Sequence, residues 1–208
     1  IGGAAVAANR LLHALNDSGI EAKMLVKFKS SDDKRVVSIG DSFLSSFFKW
    51  LRFISERLLI FVANQFSKKN LFAVSIANTG FDISVFDAVK DADVIHIHWI
   101  NQGFLSLSDI NKISGLGKPI IWTMHDMWPF TSVCHYAGDC NEYHNKCIKC
   151  NMLDSNCLVQ RTFDNKFKLY SNTNMTFVGC SNWISNLAKS SSLIKDKPIF
   201  SVPNTIDI

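Results

Sequence analysis

Apolar positions along this chain follow two periods, and the switches between them mark its elements. Ala4 to Leu15 is rich in Ala and Leu, both strong helix formers, and Val6, Leu11, Leu12 and Leu15 fall on one stripe. Asp17-Ser-Gly19 then supplies a glycine stop. Glu21–Phe28 and Val36–Ile39 read as strands. From Phe43 to Phe66, the residues Phe43, Phe47, Leu51, Ile54, Leu58, Phe61, Val62 and Phe66 recur at helical spacing. Leu71–Ile76 reads as strand or loop, and Val85–Val89 as a short helix.

Asp93–Trp99 has apolar or aromatic residues on both faces, as a parallel strand buried on each side would. Alternation puts Val94, His96 and His98 on one face and Ile95, Ile97 and Trp99 on the other. Leu105–Ser114 follows with helical spacing and Ser106 or Ser108 as its cap. Ile120–Met124 is a strand, Val159–Asn172 a charged helix, and Met175–Cys180 a strand. Ser181 caps a helix over Asn182–Lys189 with Trp183, Ile184 and Leu187 as its apolar stripe, and Pro198–Val202 is a last strand. Strand, helix and strand alternate through this half, which predicts an α/β fold with a parallel sheet.

Composition narrows the class. The 208 residues make one large domain or two small ones, and 47% apolar against 19% charged residues rules out global disorder. A net charge of +4 is mild and scattered; it suits a surface facing anions and gives no case for nucleic-acid binding. The opening Ile1-Gly-Gly-Ala has no initiator Met and no charged leader, so the chain is expected to be a piece lacking sequence at both ends.

The chemistry gathers in Ile120–Cys140. Pro129 ends any regular element there, so His125 and Asp126 are expected just past the carboxyl end of a buried strand, where open α/β sheets bind ligands. His98 and Trp99 hold the equivalent place on the preceding strand, with a histidine metal pair as the sharper alternative and a hydrogen-bonded core role as the simplest reading of His96. Trp99 and Trp128 offer flat apolar faces. Gly2-Gly3 opens a helix and either approaches a phosphate or is only a flexible entry.

Cys134, Cys140, Cys147 and Cys150 form a four-thiolate set in a loop poor in apolar residues, with His135, His144 and Cys157 as substitutes. A structural zinc would supply the order that loop lacks; disulfides, reduced thiols or a redox Cys-x-x-Cys remain alternatives. The segment Phe43–Phe66 carries Lys49, Arg52, Glu56 and Arg57, so it is no membrane span. A core or lid helix is the commoner reading of such a pattern, and a basic helix lying in a membrane interface is the other.

Taken together, Gly2-Gly3-Ala4, Asp93-Val-Ile-His-Ile-His-Trp99, Thr123-Met-His-Asp-Met-Trp-Pro-Phe130, Val178-Gly-Cys-Ser-Asn182 and Val202-Pro-Asn-Thr-Ile-Asp207 resemble the amino-terminal half of the family 4 (group 1) glycosyltransferases. The resemblance covers nearly the whole chain and is nearest to bacterial members that build surface polysaccharides. It implies one half of a GT-B enzyme: a Rossmann-like acceptor-side domain over residues 1–208, with a cysteine-rich insertion over residues 131–158 and no donor domain or first strand. It implies a retaining hexosyl transfer from a nucleotide-sugar donor to a glycan or lipid-linked acceptor, with no catalytic metal. This piece alone would be inactive.

By matching position, Gly2 and Gly3 would approach the donor diphosphate, and His125 would be the cleft histidine at the donor sugar. His98 and Trp99 would line the acceptor side, and Asn204 would lie near the crossing to the second domain. Asp126 and Trp128 join them as candidate substrate-binding residues. A cytoplasmic location is expected, and the Phe43–Phe66 segment with the mild positive charge points to a place peripheral to the inner face of the membrane. The competing expectations are a zinc-stabilised interaction module without catalysis and a sugar-nucleotide epimerase or hydrolase of the same architecture.

Overall fold

A computed structural model describes residues 2–204; the Thr205–Asp207 part of the Val-Pro-Asn motif lies outside the described residues. The elements run α1 (Gly3–Asp17), β1 (Met24–Val26), β2 (Val36–Ser38), α2 (Phe43–Ala63), α3 (Asp87–Lys90), β3 (Ile95–Ile97), α4 (Leu107–Ser114), β4 (Ile120–Met124), α5 (Asn156–Ser171), β5 (Met175–Gly179), α6 (Asn182–Lys189) and β6 (Ile199–Ser201). β1 and β2 pair in parallel, and β3-β4-β5-β6 form a second, all-parallel sheet in sequence order. Parallel neighbours need a crossover, and α4, α5 and α6 supply one for each step. All carboxyl ends of this sheet therefore lie along one edge. The protein is an α/β fold of parallel sheets flanked by helices.

The core explains why that edge is firm. Trp122 on β4 stacks on Phe177 of β5 at 6.1 Å and meets Tyr170 of α5 edge-on at 6.1 Å. Tyr170 meets Phe177 edge-on at 5.3 Å. α5 then fixes the turn after β4: the Tyr170 hydroxyl donates to the Pro129 carbonyl, and Lys166 Nζ donates to the carbonyls of Trp128 at 2.6 Å and Thr131 at 3.0 Å. Lys166 is fully buried over the Trp128 ring, and burial pushes its ammonium well below its ordinary range.

β5 ends at Gly179 for a steric reason. A Cβ there would stand 2.1 Å from Ser185 Oγ and 2.9 Å from its backbone nitrogen, so only glycine lets α6 approach. Ser106 caps α4 in a capping box with Asp109, and Ser181 caps α6 through the Ile184 N–H.

Three expectations change, and one open reading is decided. β3 is buried only on its Ile95 and Ile97 side; Val94 and His96 are exposed, because β3 is the end strand of its sheet. Trp183 points outward and meets Tyr136, because α6 packs through Ile184, Ser185 and Ala188. α1 buries Ala7, Ala8 and Leu12 and leaves Val6 exposed. Of the two readings of Leu71–Ile76, strand or loop, the structure has the loop, with one antiparallel bridge from Val74 to Cys134.

α2 is the largest departure. Its charged residues Lys49, Glu56 and Arg57 face inward with Ile60, while most of its aromatic and aliphatic residues face outward. The inner charges are paired. Glu56 Oε1 accepts the Ile76 and Ala77 N–H groups, both at 2.9 Å, and Arg57 Nη2 bonds Glu56 Oε2 at 2.7 Å. Gly103 makes the close seating possible: its φ is +74°, and a Cβ there would stand 2.9 Å from the backbone at Arg52 and Phe53. No helix of the described residues is long and apolar enough to cross a membrane.

Candidate functional site

The ends of β3 and β4 lie side by side, and three side-chain hydrogen bonds tie them together. His96 Nε2 meets Thr123 Oγ1 at 2.8 Å, His98 Nδ1 meets His125 Nε2 at 2.9 Å, and Trp99 Nε1 donates to Asp126 Oδ2 at 3.0 Å. All three span the same 27 residues, so one register sets all of them. The imidazoles also stack, His96 on His98 at 4.4 Å between centroids and His98 on His125 at 5.2 Å.

The three histidines are neutral at pH 7. Burial, then the neighbouring imidazoles, holds His98 down at about 3. His96, whose outer edge is open to solvent, is lowered by the burial of its inner part and then by His125. Burial also lowers His125, partly offset by the attraction of Asp126. Two neutral imidazoles that share one hydrogen bond hold one further N–H between them. Whichever ring carries it, the outer nitrogens present one donor and one acceptor. Such a pair can accept from one hydroxyl at one end and donate to another oxygen at the other.

A pocket of about 10 Å³, room for a single water or hydroxyl, lies here between His98, Trp99, Asn101, Thr123, His125 and Asp126. The Asn101 side-chain oxygen on its wall is buried without a hydrogen-bond partner. An orphan acceptor of this kind is an explicit demand for a donor. Sequence reasoning missed Asn101; the signal was its place, three residues after His98 and just before the left-handed Gln102-Gly103 turn.

Asp126 is engaged rather than free. Its Oδ1 accepts the Trp128 N–H at 2.9 Å, and its Oδ2 accepts from Trp99 and from His135 Nδ1 at 2.7 Å. It positions Trp99 and the turn. Trp128, expected to offer an open face, is 1% exposed and donates its indole N–H to the Ser75 carbonyl at 2.8 Å. Trp99, 38% exposed, is the flat face that remains accessible.

His135 continues the network by bonding Ser75 Oγ through Nε2 at 3.0 Å. Ser75, His135 and Asp126 thus have the connectivity of a nucleophilic triad. Ser75, however, has no exposed surface, and its Oγ also receives the Arg57 guanidinium at 3.2 Å. No carbonyl can reach it, and the three residues serve as a strut between α2 and the turn.

Cys134, Cys140, Cys147 and Cys150 all line one second cavity, and all six cysteines are free thiols. Burial raises Cys134 to about 11 and Cys147 to about 12, and raises Cys150 as well. Thiols so raised lack the thiolate character that a redox Cys-x-x-Cys needs. Four cysteine sulfurs around one cavity are the donor set of a closed zinc site. Among the described residues, though, no three His, Cys, Asp or Glu side chains are grouped closely enough to hold a metal. The same holds for the three stacked histidines. His144 bonds the Ser190 carbonyl, and Cys157 is exposed.

Gly2 caps α1 with no side-chain bond, and a Cβ at Gly2 or Gly3 would meet only open space. Neither glycine lines the histidine pocket, nor does Asn204, which is exposed. No family model, no curated protein and no solved structure matches this chain.

Proposed function

We propose that the chain is the acceptor-side domain of a retaining, GT-B-type glycosyltransferase that moves a sugar from a nucleotide-sugar donor to a glycan or lipid-linked acceptor. The observation that carries this reading is the hydrogen-bonded His98–His125 pair at the carboxyl edge of a parallel sheet, with Trp99 exposed beside it. A neutral pair offering one donor and one acceptor suits a sugar hydroxyl, and Asn101 Oδ1 adds a second acceptor. Trp99 gives the sugar ring an apolar face. His125, just past the end of β4 and beside Asp126, is the residue assigned to the reacting centre. The open Gly2-Gly3 N–H groups at the start of α1 suit the leaving diphosphate, with the cations of a donor domain completing its charge balance.

The test is transfer by the complete gene product, followed as nucleoside diphosphate released with a nucleotide-sugar and a membrane glycolipid extract. His125→Ala is expected to lower kcat/KM by about a hundredfold or more, the range of a lost proton-transfer or charge-stabilising group. Undiminished turnover would exclude His125 from the chemistry. A structural zinc held by Cys134, Cys140, Cys147 and Cys150, ordering residues 131–158 without a part in the reaction, is a second proposal; it rests on four thiols lining one cavity, whose side chains would have to draw together to bind it.

A further inference from the structure

The packing of α2 is inverted. Around its axis, Leu44, Phe47, Leu51, Leu58 and Val62 form a continuous outward stripe, flanked by Trp50 and Phe48. Every one of these is exposed, Leu58 at 58% and Trp50 at 56%. The exposed positions of the helix carry no charge; Ser46 and Ser55 are their polar side chains. The helix has 21 residues, so this apolar strip is about 30 Å long. Strips of this extent are not left to water without a use.

Charge identifies the occupant. Between Ser42 and Phe72 the charged residues are Lys49, Arg52, Arg57, Lys68 and Lys69 against Glu56 alone. Glu56 is fully buried, so no exposed carboxylate lies in this segment, and the nearest acid is Asp41 at its start. Lys68 and Lys69 are exposed beside Phe66, itself 70% exposed. A second copy would cover the strip and leave these lysines facing no counter-charge. An anionic lipid surface takes both: acyl chains receive the Phe and Leu side chains, headgroup phosphates meet the lysines, and an exposed Trp suits the boundary.

We propose that the outward face of α2, with the Phe66–Lys69 turn at its end, lies in the interface of an anionic bilayer. The inward Lys49, Glu56 and Arg57 keep the helix on the membrane surface, because crossing would strip their partners. This inference stands apart from the glycosyltransferase reading and needs no activity to test.

The experiment is co-flotation of the full chain with vesicles of phosphatidylcholine, with and without phosphatidylglycerol. Binding is expected only with phosphatidylglycerol, weakening as salt rises. The pair Leu51→Ser and Leu58→Ser, at exposed positions that leave the circular dichroism unchanged, is expected to weaken binding at least about tenfold. Trp50→Phe is expected to remove most of the fluorescence blue shift on binding. Absence of binding to the anionic vesicles, or equal binding by the double-serine protein, overturns the proposal. So does a dimer that the serines dissolve while vesicles are ignored, which would assign the face to a second copy.

Discussion

The histidines give the sharpest consequence at the scale of single residues. Their folded values lie below the ordinary 6.5, with His98 near 3. The unfolded chain therefore binds more protons than the folded one in the window between them. Their contribution to stability is present above about pH 6.5 and is lost as pH falls towards the folded values. The melting temperature should drop from pH 7 to pH 4.5, and His98→Gln should flatten that slope by up to about one proton. A flat profile in the parent protein would contradict the buried neutral pair. His98, His125 and Trp99 were legible in the sequence from their position after strand-like runs. Their bonds to one another were not, because partners 27 residues apart meet only through the β3–β4 register. The partners of Asp126, a candidate substrate-binding residue in the sequence, were hidden for the same reason: His135 and Trp99 reach it only in three dimensions.

Among the elements, most helices and strands could be placed from period and caps, Ser106 and Ser181 among them. α2 shows what periodicity omits. A helical period fixes that one stripe differs from the other; it does not say which one turns inward. Here the polar stripe does, because Glu56 caps two backbone N–H groups of the Ile76–Ala77 loop that no strand satisfies. Glu56→Ala would leave Arg57 as a buried charge without its carboxylate and two donors without an acceptor. It is expected to cost about 3–5 kcal/mol, read from the midpoint of urea unfolding. A loss below about 1 kcal/mol, the worth of an exposed pair, would mean that α2 is not seated through Glu56.

On the scale of the whole molecule, the strand-helix alternation was sufficient to foresee the parallel sheet, since parallel neighbours demand crossovers. The division into a β1–β2 pair and a β3–β6 sheet was not legible, because pairing is a contact between distant segments. Residues 131–158 are tied to the rest of the protein by bonds that include Ser132 to the Val159 carbonyl and the Ser75 N–H to the Val133 carbonyl. If the four cysteines hold zinc, purified protein should carry about one zinc per chain, and a chelator should lower the melting temperature of the parent but not of a Cys147→Ser, Cys150→Ser protein. Metal-free protein that melts identically with and without chelator would remove the zinc.

The strut from Glu56 through Arg57, Ser75 and His135 to Asp126 joins the outward helix to the wall of the histidine pocket without a gap. Such a line is a lever with two handles. A surface drawing on α2 and a ligand drawing on Asp126 would act on the same bonds, and any coupling between them would be equal in both directions. Loading at one end would then be felt at the other as a change in affinity, with no moving domain between them.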